Sequence, residues 1–551
     1  MLNKLKSNWK AGLTVAMINI PLSISLAVAS GATPIQGIIT GIWAGIIASL
    51  FASSHYNVFG VAGALSSILL GFVMLHPENG VLLLPLIAIF AGFFILLVYI
   101  FKLTKYITLI PSTALHGFLI SVGVTIALGQ LSGALGLNDP ALKIEQHHEI
   151  AMNIYELFKH IGSINISSFV TFGLGLSFLM FCKKYFPKFP AVIILTIVGI
   201  IIGILVSKGM IPNMLLLVTK FPSLSFSLVD FSFFTNIKIE SLSNLIDIFK
   251  SLFNISLVVA IIAIIETIIS ARIAEKITKV KFNKDREVLG LALSNIGTGL
   301  VGGLPNTAVF VRTALNINSG ANHRTSAFLI ALFTLLISAL LFNGAFKFLP
   351  FPIISAILMN IAIGLIDIGL LKKLYNIEKQ AFIITIITTF FSVFWEPTYG
   401  ILIGTSITLI IYIKKITNSD AYVTIFREGG YREKISLSKY IHCQHNNDLV
   451  LTKFSLGLNY LNIETNISLI EKLSHNQSLI ISLAHMGNID IDGIEAIDEM
   501  IDVLKNNNIN VYISGIEDIE TSFIKKLHNY KYLDENQKIY TTSAEIIEKL
   551  T

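Results

Sequence analysis

The stretch ISLVVAIIAIIETIISA (255–271) carries one charge, Glu266, and further along GGLPNTAVFVRT (302–313) breaks at Gly302-Gly303 and Pro305 before restarting toward Arg312. A carboxylate within a membrane span costs on the order of 3 kcal/mol by insertion scales, so it faces a bundle interior or a water-filled path. A helix that restarts inside a span points its free N–H groups and positive dipole end at whatever lies there. Together the two segments predict an ion-coupled site for an anion.

Composition points the same way. Of 551 residues, 54% are hydrophobic and 13% charged, with mean hydropathy +0.74. A soluble chain would carry about a quarter charged residues. The net charge of +6 gives no case for a nucleic-acid partner, because the lysines sit in short loops between apolar runs. Cys182 and Cys443 have no metal spacing and form no disulfide framework. The basic start MLNKLKSNWK leads directly into further spans without a cleavage site, so no cleavable signal is expected.

Two regimes meet near residue 417. Before it lie about fourteen apolar segments, several shorter than the roughly 20 residues a full crossing needs. Those near residues 60 and 308 read as half-helices preceded by extended chain. Basic residues fix the orientation. With Lys4, Lys6 and Lys10 inside, the cytoplasmic loops also receive Lys102/Lys105, Lys183/Lys184/Lys188, Arg272 through Arg286, Lys372/Lys373 and Lys414/Lys415. Both termini are then cytoplasmic, at an inner membrane. An odd number of spans in each half inverts the second half, the pattern of an inverted-repeat transporter. Gly60, Ala62, Gly63 and Ala64 in HYNVFGVAGALSSILLGF (55–72) supply the break in the first half that GGLPNTAVFVRT supplies in the second.

Residues 418–551 read as a small α/β domain. LIISL (479–483) and VYISGI (511–516) are buried strands, and Ile494, Ile497, Ile501 and Leu504 share one helix face. In HMGNIDIDGIEAI (485–497), Asp490 or Asp492 caps that helix.

At these residues the chain resembles the sulfate permease (SulP) family of anion transporters. AGLTVAMINIPLSISLAVASG (11–31) matches the family's first span around Ile20-Pro21. GGLPNTAVFVRTALNINSGA (302–321) is similar to its tenth-span signature, with Arg312-Thr313 and Asn316–Gly320. The tail resembles the cytosolic STAS domain, with Asp490, Asp492 and Gly493 at the turn. The resemblance implies a seven-plus-seven inverted repeat and an anion between half-helices three and ten, with a homodimer expected. Carried onto this chain, the anion shell is Gly60, Ala62, Gly63 and Ala64, facing Ala308, Val309, Phe310 and Arg312. Ser23, Leu22 and Leu26 form a wall. The ion-coupling position falls on Glu266, with Ser270 one turn on, and a sodium ion would sit near Glu266, Ser270 and Ala308.

This chain departs from the family at several points. Gly60–Ala64 lacks the proline and hydroxyl frequent in the third span, Leu22 replaces a frequent Gln, and Val309 and Phe310 are bulky. Bland readings stand beside the functional ones. Glu266 also fits a structural acid, Arg312 an interfacial cation, and Asn306 and Thr307 helix caps. Ser23 and Ser25 also fit backbone partners, and Asp490 a turn rather than a nucleotide ligand. At Asp492, where some STAS proteins carry a phosphorylatable Ser or Thr, no phosphoserine switch can operate. His147-His148 is an isolated pair, and His55, His116 and His323 share no ligand spacing. Neither catalysis nor a cofactor is expected. The expected function is secondary active transport of an inorganic anion of the sulfate/bicarbonate class by alternating access, coupled to a proton, for which a desolvated Glu is a natural carrier. The alternatives are a sodium-coupled bicarbonate symporter, a nucleobase transporter of the same fold, and a channel-like or sensory scaffold whose STAS domain binds a partner.

Overall fold

The computed structural model describes residues 2–550 apart from 110, 138–149, 187–188, 223–224, 237–241, 343, 396, 418–420, 428–430, 445–448, 455–457, 459, 474–476, 485–489 and 516–527. His147 and His148 lie outside the described residues. Packing divides the chain into two compact units, Met1–Thr405 and Ser406–Thr551. The sequence places the division at residue 417. Packing places it within the last helix of the first unit, Pro397–Thr417.

The apolar segments all form helices. The first seven are α1 (Leu2–Ala29), α2 (Pro34–Phe51), α3 (Gly63–Leu75), α4 (Gly80–Ile100), α5 (Ser112–Gly129), α6 (Ile166–Tyr185) and α7 (Ala191–Ser207). The second seven are α8 (Leu242–Thr278), α9 (Lys284–Leu300), α10 (Phe310–Asn318), α11 (Thr325–Leu341), α12 (Phe351–Leu365), α13 (Lys379–Phe394) and α14 (Pro397–Thr417). At 1.5 Å per residue α3 and α10 reach only about 20 Å and 14 Å, well short of a hydrocarbon core of about 30 Å. Each is preceded by a two-residue strand, β1 (Phe59–Gly60) before α3 and β2 (Thr307–Ala308) before α10. The expectation of a polytopic helical bundle with half-helices at the third and tenth spans therefore holds, with the first half-helix starting at Gly63 rather than at Gly60.

Small residues set which helices meet. In the group formed by α1–α4 and α8–α11, α9 packs on α4 and α2, α11 on α1 and α2, and α8 on α4 and α10. A Cβ added to Gly92 would stand 2.7 Å from the Ile296 amide nitrogen and 2.8 Å from the Ala292 carbonyl oxygen. One at Gly299 would stand 2.6 Å from the Pro85 carbonyl oxygen. Helices without a hydrophobic drive between them associate through such close backbone approach. In the second group α5 packs on α13 and α12, and α6 on α12.

The start of α1 is clamped to the turn between α10 and α11. Asn8 Nδ2 donates to Asn322 Oδ1 at 2.8 Å, and the Asn322 N–H donates to Asn8 Oδ1 at 2.9 Å. Lys4 Nζ lies 3.2 Å from His323 Nε2, and the His323 and His55 rings are 5.1 Å apart. Burial, then the charges of Arg324 and Lys4, hold His55 below the ordinary histidine value. Burial, then Lys4, His55 and Arg324, act the same way on His323.

The second unit is a six-stranded sheet in the order β4-β3-β5-β6-β7-β8, from β3 (Tyr422–Arg427), β4 (Tyr431–Ser436), β5 (Leu449–Lys453), β6 (Ser478–Ser482), β7 (Asn510–Ser514) and β8 (Ile539–Tyr540). Strands β5 to β8 run parallel, while β3 pairs antiparallel with both β4 and β5. A helix Ile491–Asn506 buries Ile497, Met500, Ile501 and Leu504, the face the sequence predicts with Ile494 at its margin. Asp490 caps it by accepting the Gly493 N–H at 2.8 Å, and its second oxygen accepts the Tyr460 N–H at 3.0 Å. Asp492 is exposed in the first turn and Gly493 is buried.

Two outcomes follow. Gly92→Val should lower thermal stability in detergent by about 1–3 kcal/mol, as overpacking does, whereas Gly173→Ala, with nothing within 4 Å of the added Cβ, should not lower it; equal behaviour of the two variants would refute the packing account. His55 and His323 resist protonation more when folded than unfolded, so stability should fall as pH drops through and below the unfolded value near 6.5. A His55→Gln/His323→Gln variant should show a flatter melting temperature between pH 7.5 and 5.5.

Candidate functional site

The breaks before α3 and α10 come together. Strands β1 and β2 pair antiparallel, with Phe59 opposite Ala308 and Gly60 opposite Thr307. The Val309 N–H donates to the Val58 carbonyl at 3.4 Å. Ala62 and Val309 are the N-cap residues, both extended, and neither caps its helix with a side chain. The first N–H groups of each helix are therefore left without intrahelical or side-chain caps, and two positive dipole ends converge across the strand pair. Asn306 and Thr307, read from sequence as caps, do other work. Asn306 is tied to α9: its Oδ1 accepts from Ser294 Oγ at 2.7 Å, its N–H donates to Asn295 Oδ1 at 2.9 Å, and its Nδ2 donates to Thr298 Oγ1 at 2.9 Å.

Thr307 Oγ1 donates to Glu266 Oε2 at 2.7 Å. One residue on, the Ala308 N–H donates to Thr267 Oγ1 at 3.1 Å. Helix α8 thus grips β2 at two successive residues, and the geometry places Glu266 beside the crossing strands. Arg312, in the first turn of α10, is only 2% exposed, and neither Nη1 nor Nη2 has a hydrogen-bond partner. Its guanidinium attracts the Glu266 carboxylate, yet the two form no ion pair within 4.0 Å, unlike Glu156 with Lys159 and His160. A Cβ at Gly60 would collide with Arg312 Nη1. Gly60, read from sequence as a helix break and part of the anion shell, is therefore where the backbone yields space to the cation.

The other expected residues fall as follows. Ala62, Ala64 and Ala308 are buried, while Val309 and Phe310 are half-buried. Gly63 sits under Ile126 of α5, whose Cδ1 would be 2.9 Å from an added Cβ, with Leu26 Cδ2 at 3.7 Å. Leu22 and Leu26 are buried on α1, and Ser23 and Ser25 have buried hydroxyls without partners. Ser270 is not turned to Glu266. Its hydroxyl lies 3.0 Å from both Asn57 Oδ1 and Thr313 Oγ1. Of the groups read for sodium, the Ser270 hydroxyl is thus engaged in that network, and Thr307 engages one Glu266 oxygen.

Sequence reasoning missed three contributors. Glu287, 0% exposed on α9, accepts the Ser53 N–H at 2.8 Å, the Ser54 N–H at 2.6 Å and Asn57 Nδ2 at 2.7 Å. It pins the chain entering β1. Its place among Lys284, Asp285 and Arg286 made it look like a loop charge. Asn57 bridges Glu287 to Ser270. Asn19 on α1 is buried with both side-chain polar atoms unpartnered, and with Ser23 it faces Gly41, whose added Cβ would lie 3.2 Å from Asn19 Nδ2 and from Ser23 Oγ. An Asn in a span was the available signal.

A cavity of about 620 Å³ lies between the two helix groups, lined among others by Ala29, Ser66, Ser67, Ile126, Val258, Ser355 and Tyr399. It reaches Ser66 and Ser67 of α3, and Ile126, which covers Gly63, lies in its wall, whereas Glu266 does not. Among the described residues no group of three or more His, Cys, Asp or Glu side chains could hold a metal ion.

The model of the Sulfate permease family matches residues 5–388. The Bacillus subtilis protein YvdB is 26% identical over 418 residues, 76% of this chain and 75% of that protein. The bicarbonate transporter BicA of Picosynechococcus is 23% identical over 426 residues, 74% of this chain and 70% of that protein. Among solved structures, the murine Slc26a9 anion transporter in its inward-facing state superposes with a TM-score of 0.79 at 13% identity. That match covers 100% of this chain and 92% of that one.

The Glu287 hub is testable without any substrate. Glu287→Ala strands three buried donors at about 1–3 kcal/mol each, so it should fold poorly or melt far below the parent. Glu287→Gln should fall in between and speed amide exchange at residues 53–57. Parent-like exchange in Glu287→Gln would show that the carboxylate does not order this segment.

Proposed function

The chain belongs to the sulfate permease family, and on that premise we propose that it is a secondary active transporter of a small inorganic anion of the sulfate or bicarbonate class, coupled to a proton. The observation that carries this reading is the convergence of two half-helix starts with an unpaired buried Arg312 and the Glu266 carboxylate. Backbone N–H groups at Gly63–Ala64 and Phe310 and the guanidinium supply the positive end, as anions require. The family's name and the bicarbonate transport named for BicA support the substrate class. Backbone donors accept any oxyanion, so choice among them falls to the shape of the site, where Val309 and Phe310 take the place of smaller side chains.

Glu266 is the coupling group. Deprotonated, it balances Arg312; protonated, it keeps its bond to Thr307 and leaves Arg312 free to hold the anion. Ser270, Ala308 and the Glu266 carboxylate form the rival sodium position, and the engagement of Ser270 with Asn57 and Thr313 favours the proton. The group holding α3 and α10 would shift against the α5–α7 and α12–α14 group, exposing the site to each side in turn. Both termini lie in the cytoplasm, the protein sits in the inner membrane, and the second unit, a STAS-type domain, serves a homodimer or regulation.

The test is uptake of labelled sulfate and bicarbonate into proteoliposomes with a proton gradient, a sodium gradient or neither. Uptake should follow the proton gradient and be lost in Glu266→Gln, while Gly60→Ala, which displaces Arg312, should lower it by about tenfold or more, as loss of one charge-assisted bond does. Sodium-driven uptake would replace the proton with sodium. Gradient-independent flux surviving Glu266→Gln would point to a channel, and no flux above empty liposomes would defeat the transport reading.

A further inference from the structure

The 620 Å³ cavity is walled by apolar side chains and by neutral polar ones, including Ser66, Ser67, Thr125, Ser251, Asn254 and Ser355. Lys220 is the one charged side chain among the described residues that line it. It ends a short helix, Leu217–Lys220, in the connection between α7 and α8. Its Nζ stands 5.0 Å from the centre of the Phe351 ring, on the first residue of α12, and among the described residues no carboxylate pairs with it within 4.0 Å. The hydroxyls of Ser67 and Ser392, also in the lining, are buried without partners. The cavity belongs to the end of the bundle where α1, α3 and α5 finish, away from the clamp of Lys4 and Asn8.

A cation in an apolar-walled cleft produces a focused positive potential, because the walls screen it poorly. Its aromatic seat holds the ammonium in place while leaving its N–H groups directed elsewhere. Such a cleft concentrates small anions and repels cations. We infer that this cavity is an outer anion-capture site, in which Lys220 gathers a small inorganic anion, with Ser67 and Ser392 as neutral donors, before it passes Ile126 toward the α3 N-terminus. The inference deepens the transport reading by giving the pathway a second anion position. Lys220 acts here as a binding residue remote from the coupling pair of Glu266 and Arg312.

Trp395 lines the same cavity and allows a readout independent of transport. The chain has three tryptophans, so Trp9→Phe/Trp43→Phe leaves Trp395 as sole emitter in the full-length protein. Iodide, an anionic quencher, and acrylamide, a neutral one, then report anion enrichment and simple access separately. Lys220→Gln should cut the iodide quenching constant by about fivefold, the scale of one unit charge at contact distance. Acrylamide quenching should not change, and Lys220→Arg should restore the iodide value. In transport, Lys220→Gln should raise KM with Vmax held. Unchanged iodide quenching in Lys220→Gln would overturn the inference. So would an equal fall for both quenchers, which would mean that Lys220 shapes the cavity rather than charging it. The quenching result is readable even if wild-type protein moves no anion, so failure of this site and failure of the transport reading are distinguishable.

Discussion

The structure depends on one constraint: a chain that stops being helical inside a span must still have its backbone groups bonded. Two breaks facing each other meet most of that demand by pairing as β1 and β2. What the pairing leaves over falls to side chains of α8 and α9. Thr267 takes the Ala308 N–H, Asn295 takes the Asn306 N–H, and Glu287 takes the Ser53 and Ser54 N–H groups. The starts of α3 and α10 receive no side-chain cap from Ala62 or Val309. Earlier in the second break, the Leu304 N–H donates to Thr40 Oγ1 at 2.7 Å.

Around that centre the electrostatics are arranged in separate pieces. Glu266 and Glu287 are both acids on neighbouring helices, but their surroundings divide their roles. Glu287 has three donors and no cation in contact, so it is a fixed joint. Glu266 has one donor and an unpaired guanidinium nearby. A buried ion pair in tight contact would hold both charges together strongly. The gap between Glu266 and Arg312 keeps each available to a partner. The chain lacks a hydroxyl at the start of α3, and the unpartnered Asn19 and Ser23 on α1 are the polar atoms close to the space that glycines 41 and 60 leave open.

Much of this was legible in the chain. The spans were read from apolar length, the half-helices from Gly60–Ala64 and Gly302–Pro305, and Glu266 from being a lone charge in 255–271. The helix Ile491–Asn506 followed from its period. Other features were not legible. Glu287 sits beside three charged neighbours and reads as a loop residue until α9 turns it inward. Asn306 and Thr307 carry the sequence signature of caps, yet the strand pairing moves the cap to Val309 and frees Thr307 to bond Glu266. Ser270 lies one turn from Glu266 in sequence, but α8 presents it to Asn57.

The sequence by itself therefore determined the architecture: how many helices, which two are broken, and that an acid and a basic residue lie near the breaks. Hydrophobicity, glycine and proline act locally along the chain, so their consequences can be read along it. The tertiary structure alone decided which partner each buried polar group receives, that Gly60 makes room for Arg312, and that Lys220 is the one charge among the described residues of the cavity wall. Those facts arise from atoms far apart in sequence that only packing brings within 3–5 Å, and pairwise distance is not written in the order of residues.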